Sequence, residues 1–194
     1  MIADDEVAAA AGTLARAFAH DPLGTHERDG EPWNEVREAD MLRPGIVLAR
    51  AMGEVWCTPD LAAVACWRRP GAGRPTDEQR RAAGIDGLPP DLLRRRAERS
   101  EPAYEYVEGR RNALRVPPEH WYCTMVGVEG SRRREGLGSA VLAPVLARAA
   151  ASGVPVFLDT FNPANPPFYT RNGFRCLEAD VEPVTGLPYW LFLR

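Results

Sequence analysis

The runs WYCTMVGV at residues 121–128, EGSRRREGLGS at 129–139 and VPVFLDT at 154–160 decide how this chain folds. The first is a strand pattern, the second a basic glycine loop, and an apolar stretch with helical spacing links the loop to the third. Arg133, Gly136 and Gly138 form R-x-x-G-x-G between strand and helix. Glycines there let the backbone turn its N–H groups toward a ligand. The helix behind the loop adds the positive end of its dipole. Together these features make a site for phosphate groups. Strand–helix–strand order and the right-handed crossover rule place strands 121–128 and 155–160 side by side and parallel. They are expected to separate toward Val128 and Thr160.

A second motif follows in NPANPPFYTRNGF at 162–174. The pair of motifs, in this order, resembles the GNAT superfamily of acyl-CoA-dependent N-acetyltransferases. Val126-Gly127-Val128 with Arg133-x-x-Gly136-x-Gly138 matches the family's strand end and pyrophosphate loop. Asn165, Phe168, Tyr169, Gly173 and Phe174 match its Asn-x-x-Phe-Tyr-x-x-x-Gly-Phe. The N-terminal AGTLARAFA, GLGSAV and the terminal LPYWLFLR also resemble the branch containing puromycin N-acetyltransferase, weakly so between about Pro70 and Pro118. The resemblance implies a mixed, mostly antiparallel α/β sheet flanked by helices, with a splayed parallel strand pair that admits the pantetheine arm. It implies acetyl-CoA as co-substrate, gripped by the backbone of residues 134–139, including Gly136, Leu137, Gly138 and Ser139, with Arg133 and Arg134 as nearby charge. Backbone groups of Val126 and Val128 would pair with pantetheine, Asn165 would meet its amides, and Tyr169 would be the general acid. A dinucleotide-binding unit is set aside: the third glycine of G-x-G-x-x-G is missing and the loop is basic.

The 194 residues carry a formal net charge of −3, which suggests neither general nucleic-acid binding nor a membrane surface. No apolar run approaches a membrane span. The acidic start, MIADDE, lacks a signal-peptide pattern. Cys57, Cys66, Cys123 and Cys176 are scattered with no C-x-x-C pair, so buried free thiols in a reducing cytoplasm are expected. No metal site is expected. Residues 1–194 are read as a single acyltransferase domain.

Along the chain, Val7, Ala11, Leu14 and Phe18 space a helix that ends before Asp21-Pro22. Members of the family usually begin with a strand before this helix; here that strand is short or missing. Leu23 to Pro32 reads as polar and turn-rich, and Trp33 to Met52 as a helix interrupted at Pro44-Gly45. Glu54–Thr58 and Leu61–Trp67 read as a hairpin, with Trp56, Cys66 and Trp67 as packing residues. Thr76 with Gln79 is a capping box. Pro89-Pro90-Asp91 and Glu101-Pro102 start two more helices; Arg94, Arg95 and Arg96 read as a solvated face, or else as a patch for an anionic acceptor or a donor phosphate. A kink is expected at Pro144 in helix 137–151.

Transfer of an acyl group from a thioester to an amine needs a held donor, a neutral amine and a protonated leaving thiolate. A phenol at the sulphur can give that proton, the role Tyr169 takes from the resemblance. Asp159 is the candidate base, with orienting the amine or bonding within the sheet as its alternative; strand 121–125 carries no acid, which leaves a water relay open. His20, His26 and His120 are weaker candidates. The leading reading is N-acetylation of a small-molecule primary amine, an aminonucleoside-like antibiotic or natural-product intermediate among the options. An aminoacyl-tRNA donor and a non-catalytic acyl-CoA sensor are the rivals. Acceptor and oligomeric state are not legible.

Overall fold

The computed structural model describes residues 2–194. Its centre is one six-stranded sheet: β1 (Gly53–Cys57), β2 (Ala63–Arg68), β3 (Trp121–Val128), β4 (Val156–Thr160), β5 (Arg175–Val181) and β6 (Pro188–Leu193), in the order β1-β2-β3-β4-β6-β5. Every neighbouring pair is antiparallel except β3 and β4. The exception follows from the path of the chain, because the helix after β3 carries it back to the starting end of β3 before β4 begins. No strand precedes the first helix among the described residues, so the edge that the resemblance put in doubt is absent.

Eight α-helices flank the sheet: α1 (Val7–Ala17), α2 (Pro22–Arg28), α3 (Glu35–Met52), α4 (Asp77–Ala82), α5 (Pro90–Arg95), α6 (Glu101–Ala113), α7 (Leu137–Ser152) and α8 (Pro166–Arg171). On one face, Val141, Leu142 and Val145 of α7 pack on Ala65, Trp67 and Leu158. On the other, Ala11 and Leu14 of α1 and Ile46 of α3 cover Val55, Val64 and Cys66. Farther along that second face, Ala103 and Val107 of α6 cover Phe157 and Leu191. Each fully buried aliphatic or aromatic side chain in these layers contributes about 1.5–3 kcal/mol. The second face is thus covered in two separate patches, over β1–β2 and over β4–β6, and a cavity lies between them.

Two helix readings change, at Asp21-Pro22 and at Pro44-Gly45. Asp21-Pro22 does not open a turn-rich stretch. The Asp21 carboxylate caps α2, accepting from the N–H groups of Leu23 and Gly24 at 3.1 and 3.4 Å, and Pro22 takes the first helical position, where its missing N–H costs nothing. Helix α3 runs through Pro44 and α7 through Pro144 without interruption. In both, the residue whose carbonyl loses its helical partner, Asp40 or Ala140, is exposed, so water can satisfy it. The capping box forms as read, with Thr76 N–H to Gln79 Oε1 at 2.9 Å and Gln79 N–H to Thr76 Oγ1 at 3.2 Å. All four cysteines are free, but only Cys66 and Cys123 are buried; Cys57 is half-buried and Cys176 exposed.

Gly127 is where α1 meets the sheet. A Cβ there would stand 2.8 Å from both Ala17 Cβ and Leu14 Cδ2, so α1 lies against bare backbone of β3. Gly127→Ala should therefore push α1 off the sheet and lower unfolding free energy by about 1–3 kcal/mol, the cost of overpacking, measured by urea denaturation against wild type.

Candidate active site

The site begins with an interrupted pairing. β3 and β4 pair only at Trp121↔Val156 and Tyr122↔Phe157, and beyond Tyr122 they diverge. The divergence coincides with a bulge in β3. Cys66 of β2 faces Met125 while Trp67 faces Cys123, which leaves Thr124 as the extra residue. An added residue bends its strand and raises the local twist. After the bulge β3 stays with β2, pairing Val126 with Ala65 and Val128 with Ala63. Glu129 N–H donates to Ala62 C=O at 2.8 Å. Alternation along an antiparallel ladder then turns the N–H and C=O groups of Val126 and Val128 the other way, into the gap toward β4.

The loop at the open end is a row of unused donors. Arg134 sits at φ 71° and Gly136 at φ 83°, both left-handed. Within the described residues, the N–H groups of residues 134–139 meet no acceptor, and the first capped bond of α7 is Ala140 N–H to Gly136 C=O at 3.0 Å. Gly138 has a packing role: a Cβ there would stand 3.1 Å from Phe168 Cζ, so its absence seats α8 against the start of α7. Leu137 and Ser139 are half-buried beside it. The three arginines divide. Arg132 is held by Asp60 at 2.8 Å and Glu135 at 2.7 Å, Arg133 donates to Ala17 C=O at 3.0 Å, and Arg134 has no partner among the described residues.

A cavity of about 840 Å³ opens at the diverging strands and extends under α2, α3 and α6. Val126, Asn165, Tyr169 and Asp159 all line it, whereas Val128 and residues 133–139 do not. Tyr169 is 5% exposed, packed against Phe168, Phe174 and Phe192, and its hydroxyl has no hydrogen-bond partner among the described residues. Burial first, then the fields of Cys123 and Asp159, push its pKa well above the ordinary phenol value, so it stays protonated. Asn165 donates to Thr160 Oγ1 at 2.9 Å, leaving its carbonyl oxygen free. Asp159 accepts from the Tyr122 hydroxyl at 2.6 Å. Burial raises the Asp159 pKa, and the Tyr122 hydrogen bond and Arg111 pull it partly back. The histidines do not line this cavity; His120 Nδ1 lies 2.5 Å from Pro117 C=O and its ring stacks edge-on against Phe157.

Several cavity residues carried no sequence signal. Tyr122 lies within the deciding stretch, but nothing in the spacing singles it out; Tyr104, Asp21 and Glu27 come from segments that read as helix or turn. Burial raises the carboxyl pKa of both Asp21 and Glu27. Arg95 and Arg96 line the cavity but are tied to Glu31 and Glu101, so neither the open solvated face nor the free anion patch describes them. Arg94 is exposed and pairs with Glu98 at 3.1 Å.

Because the folded pKa of Asp159 lies above the carboxylate's ordinary 3.8, the native state binds the extra proton. Its contribution is fully present below pH 3.8 and is lost as pH rises through the raised value. Tyr122→Phe removes a hydrogen bond that favours the charged form, so the Asp159 pKa should rise further and that window should extend to higher pH. Carboxyl carbon NMR titration of both proteins checks the direction, and a downward or absent shift contradicts it.

Comparisons place these features. Residues 101–174 match the family model described as Acetyltransferase (GNAT) family. Among solved structures, the C-terminal condensation domain of Ebony, in complex with beta-alanyl-dopamine, aligns over 100% of this chain and 95% of its own at 11% identity and TM-score 0.69. Arylalkylamine N-acetyltransferase 2 from Aedes aegypti aligns over 100% and 95% at 13% identity and TM-score 0.63. A structure described as histone acetyltransferase HPA2 and related acetyltransferase, from Corynebacterium glutamicum, aligns over 99% and 92% at 21% identity and TM-score 0.56. The chain spans 55% and 57% of two further structures, one from Agrobacterium tumefaciens and an acetyltransferase from Bacillus cereus. No described helix is long and apolar enough to cross a membrane. The family-model match covers residues 101–174, and the whole-length likeness to these structures is one of fold.

Proposed function

We propose that residues 1–194 form one acyltransferase domain that moves an acetyl group from acetyl-CoA to the primary amine of a small molecule. The observation that carries this is the opening between β3 and β4. Beyond the unpaired end of β3, the loop 134–139 carries six consecutive N–H groups without an acceptor among the described residues, and the cavity at the opening is lined by the Tyr169 phenol and the Asp159 carboxyl. In this reading the loop 134–139 takes the diphosphate, with Gly136, Leu137, Gly138 and Ser139 supplying backbone and Arg134 charge. Arg133 holds the loop to α1. The inward backbone groups of Val126 and Val128 take the place of a missing strand for the pantetheine arm, and the Asn165 carbonyl accepts one of its amides.

The amine binds as its ammonium ion and passes one proton to water before it reacts. Its nitrogen attacks the thioester carbonyl, a C–N bond forms and the C–S bond breaks. Asp159 takes the proton the nitrogen sheds, and Tyr169 gives one to the departing sulphur; exchange with water restores both groups. The resemblance to the puromycin N-acetyltransferase branch favours an aminonucleoside-like antibiotic or natural-product intermediate, and with it a part in resistance or biosynthesis inside the cytoplasm. CoA is preferred over aminoacyl-tRNA because Arg94, Arg95 and Arg96 are matched by Glu98, Glu31 and Glu101, which leaves little free charge for a polyanion. A sensor would have no need of a protonated phenol at the gap.

Thiol release from acetyl-CoA across aminonucleosides, aminoglycosides, amino acids and polyamines tests the reading, and absence of turnover with every class would sink it. Tyr169→Phe keeps the ring and removes the proton. Single-turnover transfer should then slow on the order of 10²-fold, with donor affinity held and thermal stability nearly unchanged. Equal rates would make Tyr169 a packing residue. Gly136→Trp places a bulky side chain at φ 83°, in space with no neighbour within 4 Å. Calorimetric CoA affinity should fall at least about tenfold, at a stability cost of roughly 1–2 kcal/mol.

A further inference from the structure

The cavity carries groups of both signs that the protein leaves without a counterion within 4 Å. Eight arginines line it, and six have a carboxylate within 4 Å; Arg68 and Arg80 have none among the described residues. Both are half-buried, and Arg68 is the one on the sheet, in β2, where burial pulls its pKa below the ordinary arginine value. Its single hydrogen bond, to Gly73 C=O at 3.1 Å, leaves most of its donors free. Arg74 and Arg111 add positive field there, and Glu108, which pairs with both, is the nearby carboxylate. On the other side, Asp159 has a phenol for a partner and no cation within 4 Å, and the carboxylates of Asp21 and Glu27 share its surroundings around Tyr104.

These two groups stand in one row across three adjacent strands. The Arg68 guanidinium lies 5.4 Å from the Tyr122 ring centroid, and the Tyr122 hydroxyl lies 2.6 Å from Asp159. Arg68 and Tyr122 are direct cross-strand partners. A buried charge left unmatched is costly, and a ligand bringing the opposite charge relieves that cost. The donor does not serve Arg68. Arg68 sits opposite Tyr122, and the diphosphate loop follows Val128, about 20 Å away along β3 at roughly 3.3 Å per residue.

We propose that the acceptor is an amine that also carries an anionic group such as a carboxylate, its amine end at Asp159 and its anion at Arg68. The inference rests on the reading of this cavity as the amine site of an acyltransferase. It adds that the acceptor is bipolar, with its two charged groups separated by the width of the Tyr122 ring.

The test uses the full chain saturated with CoA and pairs of probes: ω-amino carboxylic acids of rising length, and α-amino acids, each against its methyl ester. Calorimetry reads affinity, and thiol release with acetyl-CoA reads turnover. The expected result is at least one pair in which the acid binds about tenfold or more tightly than its ester, because the ester leaves a charged donor unmatched. Arg68→Met should shrink that ratio toward one, and Arg68→Lys should keep part of it, with thermal melts confirming that both fold. Esters that bind as well as acids in every pair, a ratio unchanged in Arg68→Met, or no binding of any probe would each overturn the proposal. Acid preference in binding with no thiol release would leave this inference standing and sink the transfer reaction instead.

Discussion

The parting of β3 from β4 is the constraint on which the rest of this molecule depends. A parallel pair in the middle of a sheet ordinarily satisfies its backbone along its whole length. Here pairing stops at Tyr122 and Phe157, because the extra residue at Thr124 bends β3 toward β2. Backbone groups left over at such a break must find partners or water. Tyr169 lines the cavity that opens at the break, and the loop of residues 134–139, whose N–H groups meet no acceptor within the described residues, follows the unpaired end of β3. Gly127 and Gly138 allow this arrangement from opposite faces, letting α1 and α8 come against β3 and α7 closely enough to close the surroundings of the gap.

The features legible in the sequence were those whose physics is local. The glycine loop, the strand–helix–strand order and the capping box at Thr76 each depend on a few adjacent residues, and each appears where it was read. The parallel pairing followed from connectivity alone. Local rules also produced the errors. Pro44 carries the expected penalty for a helix interior, yet Asp40, whose carbonyl it orphans, is an exposed residue, which no single-residue rule can see. Asp21-Pro22 served equally as a stop and as a cap followed by a first helical residue, and the buried Leu23 behind it favours the second.

The site was legible to the extent that it lies on contiguous motifs. Tyr169 and Asp159 reach the same cavity because α8 folds back beside the end of β4, an arrangement the second motif encodes in order and spacing. Tyr122, Arg68 and Tyr104 reach it from β3, β2 and α6, and their meeting depends on sheet register and on how α6 lies over β4 and β6. Nothing short of the fold states that Arg68 and Tyr122 are cross-strand neighbours, since more than fifty residues of poorly patterned chain separate them in sequence.

Burial sets the chemistry of this cavity in a specific way. It raises the pKa of Asp159 and of Tyr169 alike, since both are acids whose charged forms are disfavoured away from water. The consequences differ because the starting points differ. A carboxyl raised from 3.8 becomes a stronger proton acceptor, whereas a phenol raised from 10.0 remains a donor at any ordinary pH. One environment therefore separates the two groups into acceptor and donor without needing a distinct device for each. The Tyr122 hydroxyl limits the effect on Asp159 by stabilising its ionised form, and Arg111 works in the same direction. In the proposed reaction, the Tyr122 bond favours the ionised Asp159 that receives a proton from nitrogen, while Tyr169, with no such partner, keeps its own for the sulphur.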